Sequence, residues 1–231
     1  FQAGTASVFL LHGDVHGLVP NPDAEEEPAR AFVPLRAFLE KVFDTAALTA
    51  FYDVAAGISC PTPAMEKRLL ELSRPPPADR AKDPVAAARL ELASRRGLPR
   101  EPDEALLVLE KALRGQERVA VVLESAHFVA PTISAGIPLA PAERTNVQRL
   151  ANWARDPALR SRRNLVLLVT DQAAKLSAEL RVADCGIPVV FIPKPDQQAR
   201  VAFLKAATGP ETDNPVEVPD DFDVEAFARA S

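Results

Sequence analysis

The sequence predicts an α/β protein: a three-layer, doubly wound fold around a mostly parallel, five-stranded sheet. Three observations carry this. Five short apolar runs have the length and the β-branched or aromatic content of strands: Ser7–His12, Leu48–Tyr52, Val119–Leu123, Leu165–Val169 and Val189–Ile192. The runs do not alternate polar with apolar residues, so both faces are expected to be buried, as in a parallel sheet covered by helices. Segments of helical character fall between them, which gives a β-α-β order.

In chain order, Phe32–Phe43 is the first expected helix, with Leu35, Phe38, Leu39 and Val42 on one face. Pro34 falls near its start, where a missing N–H costs little. Pro63–Leu72 is the second helix. Asp83–Arg95 is the third, with Asp83 as cap and Pro84 in the first turn. Asp103–Arg114 opens with acids and closes with basic residues, which suits the helix dipole, and Gly115 can end it. Thr145–Arg155 and Pro195–Ala207 complete the set, and Val224–Ala230 begins a further helix. Pro20–Pro28, Arg74–Pro77 and Ala130–Pro141 read as surface connectors. No internal repeat is visible.

Composition narrows the function. The 231 residues suffice for one α/β domain plus an appendage, and 47% apolar content can fill a sizeable core. A formal net charge of −5 with mixed signs argues against a nucleic-acid surface, which needs clustered Lys and Arg. No apolar run approaches the roughly 20 residues that span a bilayer, and no signal segment opens the chain. A cytoplasmic protein without membrane contact is expected. Cys60 and Cys185 lie far apart with no ligand spacing, so neither a disulfide framework nor a metal site is expected. The 22 prolines outnumber the 9 glycines, and phosphate-cradling loops consume glycine. The chain begins at Phe1 without methionine and stops at Ser231 inside a helical pattern, which reads as a fragment of something longer.

One stretch is more specific. Asn146–Leu204 contains, in order, LVLLVTD, LSAELR and IPKPDQQAR. Upstream lie FLLHGDVHGLVP and RVAVVLESAHF. The order and character of these pieces resemble the core of an AAA+ ATPase, a P-loop NTPase-like fold. FLLHGDVHGLVP stands where the first strand and phosphate loop belong, and RVAVVLESAHF where the Walker B strand belongs. LVLLVTD matches the sensor strand, and IPKPDQQAR the Pro-x-Pro-Asp/Glu-x-x-x-Arg lead into the helical lid. On this resemblance residues 1–209 are the α/β core, and 210–231 are an acidic loop and the start of a truncated lid. The chain is similar to degenerate segments at the N-terminal side of larger bacterial AAA+ ATPases, ahead of an intact ATPase domain.

The motifs that carry chemistry are incomplete. A working phosphate loop is Gly-x-x-x-x-Gly-Lys-Ser/Thr, in which backbone N–H groups and the lysine hold phosphate and the hydroxyl holds Mg²⁺. No Gly-Lys pair occurs anywhere in the chain. The position is taken by Gly13, Asp14, Val15, His16 and Gly17, followed by Leu18 and Val19. Asp14 would repel a phosphate by about 1–4 kcal/mol at close range. Gly13, Asp14, His16 and Gly17 are therefore the degenerate cofactor-binding position. At the Walker B position Glu124 is the catalytic candidate. Either Ser125 replaces the catalytic Glu or Leu123 replaces the metal-supporting Asp; a simple strand-end role for Glu124 stands beside both. The sensor position falls at Thr170 or Asp171, with Asp171 alternatively capping the next turn. Arg181 lies where the family often carries trans-acting arginines, or else in a surface salt bridge. His127 and Trp153 are read as packing residues.

The resemblance implies a catalytically degenerate AAA+ module that assembles or regulates a larger ATPase, a pseudo-ATPase with no nucleotide of its own, ATP and Mg²⁺ belonging to the parent protein. The implied partners are further copies in a ring and an adjacent AAA+ domain. Two other readings remain open: a piece of an active ATPase whose catalytic domain lies outside this sequence, and an ATP-inactive scaffold similar to clamp-loader subunits. A nucleophile-elbow hydrolase is disfavoured, since Gly-x-Ser-x-Gly is absent and His12, His16 and His127 form no persuasive triad.

Overall fold

Six strands form the main sheet, and their order explains why their sequences are so apolar. A computed structural model describes residues 6–23, 31–73, 97–116, 118–133, 138–209, 216–219 and 221–230. The strands are β1 (Val8–Gly13), β4 (Leu48–Asp53), β5 (Gly57–Ser59), β6 (Val119–Leu123), β7 (Leu165–Thr170) and β8 (Val189–Ile192). They lie in the order β5-β4-β6-β7-β1-β8. β4 with β6, β6 with β7 and β7 with β1 are parallel pairs, in register at Leu48–Val119, Ala120–Leu165 and Val8–Val166. β6 and β7 are buried along their whole length. Leu123, Val121, Val166 and Leu168 point into the main core, while Ala120, Val122 and Leu167 are buried on the opposite side. A central parallel strand must satisfy two apolar faces, and this is why no alternation appears in the sequence.

One core face is closed by three helices: α2 (Pro63–Ser73), α3 (Pro102–Gly115) and α4 (Pro141–Arg155). α3 turns Ala105, Leu106, Val108, Leu109, Ala112 and Leu113 inward at helical spacing. Each fully buried leucine contributes about 2 kcal/mol. Asn164 pins the far end of this helix to the sheet. Its Nδ2 donates to the carbonyls of Leu113 (2.6 Å) and Gln116 (3.0 Å), and its Oδ1 accepts from the N–H of Val119 (2.9 Å).

The predicted fold class holds, with local corrections. The sheet has six strands rather than five, because Gly57, at φ 84°, turns the chain back so that Gly57–Ser59 pairs antiparallel with β4. Three residues are too few to register as a strand pattern. The helix expected over Phe32–Phe43 is shorter. Phe32–Pro34 is a strand, β3, paired antiparallel with β2 (Leu18–Pro20), and the helix α1 runs only over Leu35–Val42. Proline disfavours helical backbone in the residue before it, so Val33 stays extended. α4 begins at Pro141 instead of Thr145. Pro141 takes the first-turn position, and Glu143 Oε2 accepts the N–H of Ala140 at 2.7 Å. Two short helices, α5 (Pro157–Ser161) and α6 (Ala178–Arg181), were not expected. The lid-side helices are α7 (Gln197–Thr208), capped by Asp196 Oδ1 on the N–H of Ala199, and α8 (Val224–Ala230). The helix expected over Asp83–Arg95 lies outside the described residues.

The chain divides into two units. The first comprises Phe1–Gly13 and Phe43–Phe191; the second comprises Asp14–Val42 and Ile192–Ser231. The boundary expected at residues 209/210 falls inside the second unit. No described helix is long and apolar enough to cross a membrane.

Candidate functional site

In a doubly wound sheet, ligands bind beyond the carboxyl ends of the strands, where the strand order reverses. β1 sits between β7 and β8, so the reversal lies beside β1. The first unit gathers several of the expected residues at that end. Gly13 closes β1 at φ 111°, a conformation suited to glycine, and its N–H donates to the carbonyl of Asp171 (3.1 Å). Thr170 ends β7 opposite His12 and is buried. Gly13, Thr170 and Asp171 are thus brought together.

His127 joins them. Its Nδ1 lies 2.9 Å from Thr170 Oγ1. The same hydroxyl reaches the carbonyl of Gln172 (3.3 Å) and Asp171 Oδ1 (3.4 Å). The backbone after β6 delivers the imidazole. Ser125 adopts the left-handed conformation (φ 52°, ψ 46°), and its carbonyl accepts the N–H of Phe128 (2.9 Å) to close a single tight turn, Ala126–Phe128. Left-handed backbone at a non-glycine residue costs of order 1 kcal/mol and persists only where surroundings impose it. Glu124, one residue earlier, extends the β4–β6 ladder by donating its N–H to the carbonyl of Tyr52 (2.8 Å).

Asp171 is not the cap of the turn that follows it. That position belongs to Gln172, without a side-chain bond. The Asp171 carboxylate instead pairs with Lys175 Nζ at 2.5 Å. The hydrogen bond from Lys175 holds the Asp171 carboxyl below the usual carboxylate range. Lys175 thereby spends its charge on Asp171. Among the described residues no group of three or more His, Cys, Asp and Glu side chains is arranged to hold a metal ion.

The loop after Gly13 belongs to the second unit. The N–H of Asp14 donates to the carbonyl of Ile192 (2.9 Å). Val15 is buried and His16 is exposed. The Asp14 carboxylate rests on Gly17: a Cβ on Gly17 would meet Asp14 Oδ2 at 2.6 Å. Beyond Gly17 the chain enters strand β2. A phosphate loop leads into a helix, whose first N–H groups and dipole complete the anion site. Leu18–Pro20 is extended and paired with β3, so no helix N-terminus follows this loop. The loop also has three residues between its glycines, where the phosphate motif has four.

A family model for the AAA+ chaperone, N-terminal Rossmann-like domain, matches residues 1–193. The chain belongs to this family. No curated protein matches it in sequence.

In this AAA+ chaperone N-terminal domain Arg181 stands apart from the strand ends. It is exposed at the end of α6, and its Nε donates to the carbonyl of Leu176 (3.0 Å). The alternative salt bridge is not formed with any described residue. Trp153 is fully buried in the core, as its packing role requires. His127, expected only to pack, also meets the Thr170 hydroxyl, a contact that sequence reasoning missed. Its only signal is its position three residues beyond Glu124, and that says nothing about the left-handed turn that aims it at Thr170.

Proposed function

We propose that this AAA+ domain is catalytically degenerate and serves as an assembly and regulatory module of a larger ATPase that remodels protein complexes. One observation carries the reading: the first strand runs through an aspartate-bearing loop into another strand, where nucleotide hydrolysis needs a lysine and a helix N-terminus. A retained scaffold does not by itself retain an activity. The incomplete acidic pair at Glu124–Ser125 adds to this, since one of the two Walker B roles has no carboxylate. Membership in a family of AAA+ chaperone N-terminal domains favours hydrolysis by another domain of the parent, with this one contributing contacts between copies. ATP and Mg²⁺ are then the parent's cofactors.

Calorimetry of the 231-residue chain with Mg-ATP tests the degeneracy. No binding heat is expected up to millimolar nucleotide, and micromolar affinity would overturn the reading. Sedimentation velocity of the parent with and without residues 1–231 tests the assembly role. Loss of the oligomer on deletion is expected; an unchanged oligomer with unchanged ATPase rate argues against any such role.

A further inference from the structure

The second unit holds a cavity of about 370 Å³. Its walls are Leu18, Pro20, Phe32, Ile192 and Phe203, contributed by the β2–β3 ladder, the end of β8 and α7. Phe32 and Phe203 meet edge to face, with ring centroids 5.3 Å apart. The volume lies at the small end of the range for ligand pockets, about 300–1,000 Å³, and a mostly apolar lining with a few polar groups is their usual character.

Among the described residues two charged ones line this cavity, Asp14 and Arg200. They do not pair with each other. Arg200 Nε donates to the carbonyl of Ala228 (2.9 Å) and Nη1 to that of Pro195 (2.7 Å). Both acceptors are neutral carbonyls, so they orient the guanidinium, and no described carboxylate pairs with it. No described donor bonds the Asp14 carboxylate, which lies against the Cα of Gly17. The cavity therefore offers one anion and one cation, neither paired with a charge of any described residue, beside an apolar wall.

That combination selects among ligand classes. A polyphosphate meets Asp14 with the wrong sign. A simple amine satisfies Asp14 and is opposed by Arg200, and a simple carboxylate suffers the reverse. A molecule carrying both charges beside an apolar body satisfies every group. We propose that this cavity binds a small apolar zwitterion, of the class of an α-amino acid with a large aliphatic or aromatic side chain. The ammonium faces Asp14, the carboxylate faces Arg200, and the side chain occupies the apolar wall. Charge-assisted hydrogen bonds at both ends are the strong kind and supply orientation.

The inference goes beyond the assembly reading and does not rest on it. The test is calorimetric titration of the 231-residue chain with L-phenylalanine and L-leucine, with phenethylamine and 3-phenylpropionate as single-charge controls. One or both amino acids are expected to bind, with each control at least about tenfold weaker. Asp14→Asn, which removes a charge without removing a bond, is expected to weaken the amino acid by about tenfold or more and to leave thermal unfolding unchanged. Arg200→Gln should do the same to affinity. If that variant fails to fold, because it loses the ties to Pro195 and Ala228, then Asp14→Asn and the two controls decide. The proposal is overturned if neither amino acid binds at about 10 mM, if either control binds as tightly, or if Asp14→Asn binds unchanged.

Discussion

His127 Nδ1 and Thr170 Oγ1 meet at 2.9 Å beyond the ends of two neighbouring strands, β6 and β7. The bond joins the turn after one strand to the last residue of the next. A side-chain hydrogen bond of this kind contributes about 1 kcal/mol. His127→Ala and Thr170→Val are each expected to lower stability by about 1–2 kcal/mol. A double-mutant cycle in urea should show coupling of about 0.5–1.5 kcal/mol. Strict additivity would mean that the two side chains do not act on one another.

Ser125 is held left-handed, where glycine is at ease. Ser125→Gly is expected to stabilise the fold by up to about 1 kcal/mol, and Ser125→Val to destabilise it by more than that. Chemical denaturation midpoints would show the order. A serine more stable than glycine would place an undetected interaction on the hydroxyl.

Restoring the phosphate motif's side chains should not restore its function. Leu18→Lys with Val19→Thr writes Gly-Lys-Thr directly after His16, but on residues that are paired with β3 as a strand. No Mg-ATP binding is expected from the double variant by calorimetry. Tight binding would mean that the ladder yields readily to a helix.

Tyr52 is the only tyrosine, and its hydroxyl donates to the carbonyl of Arg100 at 2.8 Å. Burial, with smaller help from Glu101, Asp53 and Asp103, pushes its phenol up from 10.0 to about 12. The folded chain holds that proton more tightly than the unfolded chain does. The associated stabilisation is intact below pH 10 and is lost as pH rises towards about 12. Phenolate absorbance should therefore appear late in an alkaline titration of the native domain and early in urea. Tyr52→Phe should remove this part of the alkaline dependence of stability.

Both thiols should be slow. Burial pushes Cys60 up to about 11, with Glu66 adding to it, and burial raises Cys185 as well. The thiolate is the reactive form. Mass spectrometry after iodoacetamide at about pH 8 should find little alkylation of the native domain and two adducts in urea. Rapid native labelling of Cys185, which has no exposed surface, would imply local opening around Ile187.

The sheet was legible in the sequence because central parallel strands must be apolar on both faces, and Val119–Leu123 and Leu165–Thr170 carry that signature directly. β5 and the β2–β3 ladder were not. Each strand has only three residues and depends on a pairing partner that is distant or set by a glycine turn. The consequence for the site was large. Without the ladder, Gly13–Gly17 reads as a worn phosphate loop. With it, the loop leads somewhere a phosphate loop does not go. Asp171 as an ion-pair partner and His127 as a neighbour of Thr170 depend on backbone angles that no local pattern encodes.

Neither unit is a continuous stretch of chain: the second is stitched from Asp14–Val42 and Ile192–Ser231, on either side of nearly all of the first. Its two pieces must close a very long loop before they gain anything from each other, and most of that loop is the other unit. Folding order follows from this. Closing that loop costs least once the first unit has folded, so amide protons of α7 are expected to gain protection more slowly than those of β6 and β7 during refolding. A protease cut near residue 192 would break the chain between the units but leave Asp14–Val42 tied to the first, so it could not liberate the second unit whole.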